Sequence, residues 1–209
     1  MNRIKTLRLL SPILCLLFVS CMNIKQPRNK IDYYTLEYEA PMPQDLTPVN
    51  EVIRVFRFDV APTYNTNQLV YRDQAYMREA YHYHKWRANP GDLVSYYLGR
   101  DLKRSGLFKA VLPYDSKIPS SCLLEGTVDE FCEWDTAHSW MAALTVTITL
   151  MAENEPDISR RVLLQKTYRT REPCEQKNPR FLAEAMSRAM ARISGEIIHD
   201  IHGRLAPRP

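Results

Sequence analysis

The chain has 209 residues, 45% of them apolar, with 28 Lys and Arg against 24 Asp and Glu. Three of the basic residues, Arg3, Lys5 and Arg8, precede residue 20 with no acid among them, so the 189 residues from Cys21 onward carry 25 basic against 24 acidic side chains. That balance, with no run of five basic residues, argues against a nucleic-acid interface, and six glycines with no GxGxxG or GxxxxGK(S/T) pattern argue against an ordinary phosphate loop.

From the N-terminus, Leu9 to Val19 is apolar apart from Ser11 and Pro12. This is the length of a signal-peptide core and falls short of the ~20 residues a membrane-spanning helix needs. Leu17-Phe18-Val19-Ser20-Cys21 resembles the lipobox of bacterial lipoproteins, in which a small residue precedes a cysteine that becomes acylated; Phe18 stands where leucine is usual. Cys15 follows bulky Leu14 and lacks that small neighbour. An ordinary cleaved signal and an uncleaved anchor are the competing readings. The expectation is a signal peptide over residues 1–20, lipidation with palmitate-type chains at Cys21, and a polar tether over 21–30. Two or more acyl chains hold a protein on a bilayer stably. Extended, Met22 to Asn29 reaches at most about 26 Å, a length that keeps the domain beyond it close to the membrane. Met22 after the cysteine, where enteric sorting reads an aspartate as a retention signal, favours the outer membrane.

Residues 31–205 read as one periplasmic domain. Pro41, Pro43 and Pro48 keep Glu39 to Asn50 irregular. A strand is expected over Val52 to Val60 with Phe56 and Phe58 inward, and another over Tyr81 to Trp86. Asn89-Pro90 gives a helix cap followed by proline in the first turn, and the apolar side Leu93, Val94, Tyr97, Leu98, Leu102 runs to a stop at Gly106. Leu107 to Leu112 is a further strand. Residues 123–151 predict a long antiparallel hairpin: Leu144, Val146, Ile148 and Leu150 alternate with threonines, while Leu124, Val128, Cys132 and Trp134 share parity on the partner strand, and Asp135 to His138 turns between them. Val162, Leu164 and Tyr168 extend the sheet. Asn178-Pro179 opens a second helix whose stripe Leu182, Met186, Ala189, Met190, Ile193, Ile197, Ile201 spans more than five turns. The stripe suits packing on the chain's own sheet better than a membrane or partner surface. The expected class is α+β, an antiparallel sheet of four or more strands with two helices packed on one face.

At this point the chain resembles a known family. Asp32-Tyr33-Tyr34-Thr35-Leu36, Ile53-Arg54-Val55 leading to Val60-Ala61-Pro62, Leu69-Val70-Tyr71-Arg72 and Tyr83-His84-Lys85-Trp86 are similar, in order and spacing, to the ABC-type transport auxiliary lipoprotein family over roughly residues 31–203. Trp86-Arg87-Ala88-Asn89-Pro90 stands where the family has Trp-Ala-Glu-Pro. The resemblance implies a periplasmic lipoprotein working with an ABC permease and ATPase and an MCE-domain protein to move lipid between envelope membranes, as in the paraquat-inducible system of Gram-negative bacteria. It carries over no catalytic residue.

The residues themselves offer little chemistry. No nucleophile stands at a recognisable spacing from a base. His82 with His84, and His199 with His202, share faces but lack a third ligand, so no metal and no cofactor is expected. Glu125, Asp129 and Glu133 share a parity opposite Val128 and read as a solvated face. Cys122 and Cys132 lie roughly 33 Å apart on one strand and cannot bond each other, whereas a disulfide between Cys132 and Cys174 is open. Tyr81 and Tyr83 are candidates for partner contact, with Trp86 in the core. The expected role is non-enzymatic, through protein binding and possible homo-oligomerisation. An envelope assembly or structural lipoprotein that binds an outer-membrane protein or peptidoglycan is the alternative, and a hydrolase a distant third.

Overall fold

A computed structural model describes residues 30–136 and 139–207. Cys21, the signal segment and nearly all the tether therefore lie outside the described residues, as do Ala137 and His138 of the expected turn.

Nine strands form one mixed sheet. They are β1 (Asp32–Tyr34), β2 (Val49–Val55), β3 (Asp59–Val60), β4 (Gln68–Arg72), β5 (Glu79–Trp86), β6 (Phe108–Pro113), β7 (Cys122–Asp135), β8 (Trp140–Ala152) and β9 (Val162–Pro173). Among the described residues three α-helices accompany them: α1 (Pro90–Arg104), the single turn α2 (Ile158–Arg161) and α3 (Pro179–Leu205). The wholly antiparallel expectation is corrected. β7–β8, β8–β9 and β4–β5 are antiparallel, but β1–β5, β2–β6, β2–β7, β3–β7 and β4–β7 are parallel. Alternation within a strand records which side is buried and says nothing about its neighbour's direction.

β7 is the axis. β8 pairs along its whole length on one edge, while β2, β3 and β4 succeed one another along the other, opposite Cys122–Leu124, Thr127–Val128 and Glu133–Trp134. The strand expected over 52–60 is thus two: β2 ends at Val55 and the chain re-pairs at Asp59. Phe58 is buried against Gly126, where an added Cβ would fall 2.4 Å from its ring, while Phe56 is only half-buried.

Both long helices start as the sequence requires. Asn89 and Asn178 accept hydrogen bonds from the backbone N–H of Gly91 at 3.0 Å and Arg180 at 2.8 Å, with proline in each first turn. Gly106, at φ 67°, turns the chain after α1 in the left-handed conformation that glycine adopts without strain. α1 contacts β6, β7 and α3, and α3 contacts β8 and β9. The α3 stripe from Leu182 to Ile201 is buried, as are Leu144, Val146, Ile148 and Leu150 of β8. His202 is buried too, its Nε2 2.7 Å from the Thr47 carbonyl, and ties the end of α3 to the proline-rich segment.

Candidate functional site

One residue decides what the far half of β7 presents. Val128 pairs with Val146 but Glu130 pairs with Thr145, so Asp129 is an extra residue in β7. Such a bulge moves every later side chain to the other face. Phe131, Glu133 and Asp135 join the face of Leu124 and Val128, whereas Cys132 and Trp134 leave it. Two expectations are corrected here. Glu133 belongs to no solvated face; it is 1% exposed. Cys132 and Trp134 do not continue the Val128 side; Trp134 stacks under the guanidinium groups of Arg72 and Arg171, at 3.9 and 3.5 Å.

The acids at this end of the sheet, Glu133, Asp135 and Glu172, are met from several elements. Tyr81 of β5 donates to Glu133 Oε2 at 3.1 Å, with Oε1 at 3.3 Å. Lys177, on the loop before α3, is in close contact with Asp135 Oδ2. Glu172 of β9 takes Arg192 of α3 at 3.1 Å. Burial first, then the neighbouring Asp135, pushes Glu133 up to about 7 from its ordinary 4.5. Asp135 Oδ1 is buried with no hydrogen-bond partner. A proton on Glu133 lets it donate to the Asp135 carboxylate, which adds to the effect of burial. Burial, helped by the Glu133 charge, also raises the Tyr81 hydroxyl well above its ordinary range, so it is a permanent donor.

Outside this cluster lies a hollow of about 500 Å³ lined by Tyr71, Asp73, Tyr81, His82, Tyr83, His84 and Lys177. Tyr81 packs on Tyr71 at 5.0 Å and His84 at 5.8 Å between ring centres, and the Tyr34 hydroxyl is 3.3 Å from His84 Nδ1. The two tyrosines singled out in the sequence are brought to one hollow in different states: Tyr81 is half-buried in the fold's polar network, and Tyr83 is 47% exposed. Tyr33 on the neighbouring strand is 51% exposed. Tyr76, at the turn between β4 and β5, is fully exposed and holds φ at 66°, a rare conformation for a bulky residue.

Cys132 and Cys174 are both free and buried. Cys132 is level with Ala143 and that with Arg171, so Cys174 lies two strands away and three residues further on. Two strand spacings are ~9.6 Å, beyond the ~7 Å a disulfide spans. Cys122 is also free and buried at the other end of β7. Among the described residues no three His, Cys, Asp or Glu side chains gather as a metal site. Phe131 carries the sequence's trace of the acid cluster: it falls out of phase with Leu124 and Val128.

The family described as ABC-type transport auxiliary lipoprotein component matches residues 34–198. Among solved structures the fold is similar to protein XCC0632 from Xanthomonas campestris, with TM-score 0.74 and 18% identity over 83% of this chain and 97% of that one. It is also similar to the hypothetical protein CT253 from Chlamydia trachomatis, with TM-score 0.52 and 10% identity over 76% of this chain and 99% of that one. No curated protein matches the chain. The family match spans most of the sequence and begins and ends within the sheet and helices described above, and the chain belongs to the ABC-type transport auxiliary lipoprotein component family.

Proposed function

We propose that this chain is the accessory lipoprotein of an MCE-type intermembrane lipid transport system, and that it works by binding its MCE-domain partner without catalysing a reaction. In this reading the signal segment is removed before Cys21, acyl chains at Cys21 hold the chain on the periplasmic side of the outer membrane, and both long helices cover the same face of the sheet. The observation that carries the binding role is the aromatic edge of β1 and β5. Tyr33, Tyr83 and Tyr76 present large apolar rings with polar tips to solvent on adjoining strands and their turn. Tyrosine in such a setting is the composition of an interface centre, and a strained exposed loop residue marks a segment held for a contact.

The test is affinity purification of the full chain from its own bacterium, with membranes solubilised gently. The expected result is co-purification of an MCE-domain protein together with ABC permease and ATPase subunits, lost on Tyr83→Ala with the melting temperature unchanged. Co-purification of an outer-membrane protein or peptidoglycan in their place would overturn the reading. Labelled palmitate should enter the wild-type chain and not Cys21→Ser.

A further inference from the structure

The hollow beside Tyr81 has a larger counterpart elsewhere in the described chain. It is a groove of about 780 Å³ between α1 and the strands β2 and β6, within the size range of small-ligand sites. Its strand wall is Val55, Phe56, Val111, Leu112 and Pro113, and its helix wall is Leu93, Tyr96, Gly99 and Arg100. Both walls are therefore mainly apolar. Charge lies at the rim and is mostly positive: Arg57, Arg100 and Lys103 against Asp92. Arg100 is committed to buried Asp101 at 2.7 Å and stacks on Tyr38 and Tyr97. Arg57 is not so committed. It rests on the Tyr114 ring at 4.6 Å, is 3.9 Å from Asp92, and its side chain is 63% exposed. Lys103 is exposed near the other end of α1.

Gly99 is the second observation. It stands inside α1, where glycine is the poorest helix former but proline, yet no atom lies within 4 Å of a Cβ built on it. Close packing does not ask for glycine there. Its missing side chain leaves space on the helix wall of the groove. Occupation by an added strand is disfavoured, because β6 carries Lys109 and ends on Pro113, both of which blunt a sheet edge.

We infer that this groove binds one anionic amphiphile, a long-chain fatty-acid carboxylate, with its alkyl chain along the Val111–Pro113 and Gly99 walls and its head within reach of the cationic rim. The inference is independent of the partner proposed above, and it is read on the purified chain alone. Full-length protein in phosphatidylcholine nanodiscs is irradiated with a diazirine-bearing palmitate probe, and the labelled peptides are mapped. The expected label falls on the peptides holding Tyr96 and Tyr114, is competed by palmitate, and is not competed by methyl palmitate. Gly99→Leu should cut it at least tenfold while the melting temperature holds or rises, because the substitution improves the helix as it fills the groove. Arg57→Glu with Lys103→Glu should cut it about tenfold and abolish the preference for carboxylate over ester. Lysophosphatidylglycerol competing as well as palmitate would overturn the fatty-acid assignment. Labelling untouched by Gly99→Leu, or a probe that marks the protein's own second copy at this groove, would overturn the site.

Discussion

β7 has two halves that share a face and little else. Before the bulge, that face sets Leu124 and Val128 against Leu150 and Val146, all of them fully buried. After it, the same face carries Glu133 and Asp135, nearly as buried, and draws in Tyr81 and Lys177 from distant parts of the chain. The first half gains from excluding water. The second half must satisfy charge where water is scarce, and does so by holding a proton and recruiting donors. The outward aromatic edge stands beside the second half, so under the proposed binding role the polar end of the sheet organises the docking surface, and the apolar end keeps the fold.

The harshest way to break this contrast is Phe131→Ala, which removes a buried ring packed edge-on to Trp86 at 5.0 Å. Denaturant titration should show a loss of ~3–5 kcal/mol.

The acidic half is sharpened by pH. Glu133 has its folded pKa raised from 4.5 to about 7, so the folded state binds more protons than the unfolded chain across that interval. Its contribution is fully present below pH 4.5 and is lost as pH rises through 7, a change on the order of 1–3 kcal/mol. Glu133→Gln cannot ionise. Melting curves of that variant should be flatter between those pH values and lie above wild type at pH 8. The smallest effect on stability belongs to Tyr83→Ala, within ~0.5 kcal/mol because the ring is half-exposed and outside the core. A larger loss would return Tyr83 to the fold.

How much of this was legible follows the same division. β8 could be read to its end, because no residue interrupts the alternation of Leu144, Val146, Ile148 and Leu150 with its threonines. Both helix starts were legible because Asn-Pro acts within one turn. β7 could be read only to Val128. A bulge is a tertiary choice of register, and its trace here is the misplaced phase of Phe131 beside the polar pair Asp129-Glu130. The parallel pairings along β7 were illegible for a different reason: they join segments tens of residues apart, and nothing in the local pattern records direction. The groove escaped for the same cause, since α1, β2 and β6 meet there only after the crossover between parallel neighbours closes.

The central claim, that the aromatic edge of β1 and β5 is the docking surface, is tested most directly by photo-crosslinking in the living bacterium. p-Benzoylphenylalanine is placed at Tyr83 and, in a separate strain, at Ile158, which is 80% exposed at the β8–β9 end of the sheet. The account predicts a crosslink to the MCE-domain protein from position 83 and none from position 158. A crosslink to that protein from position 158 with none from position 83 would contradict it.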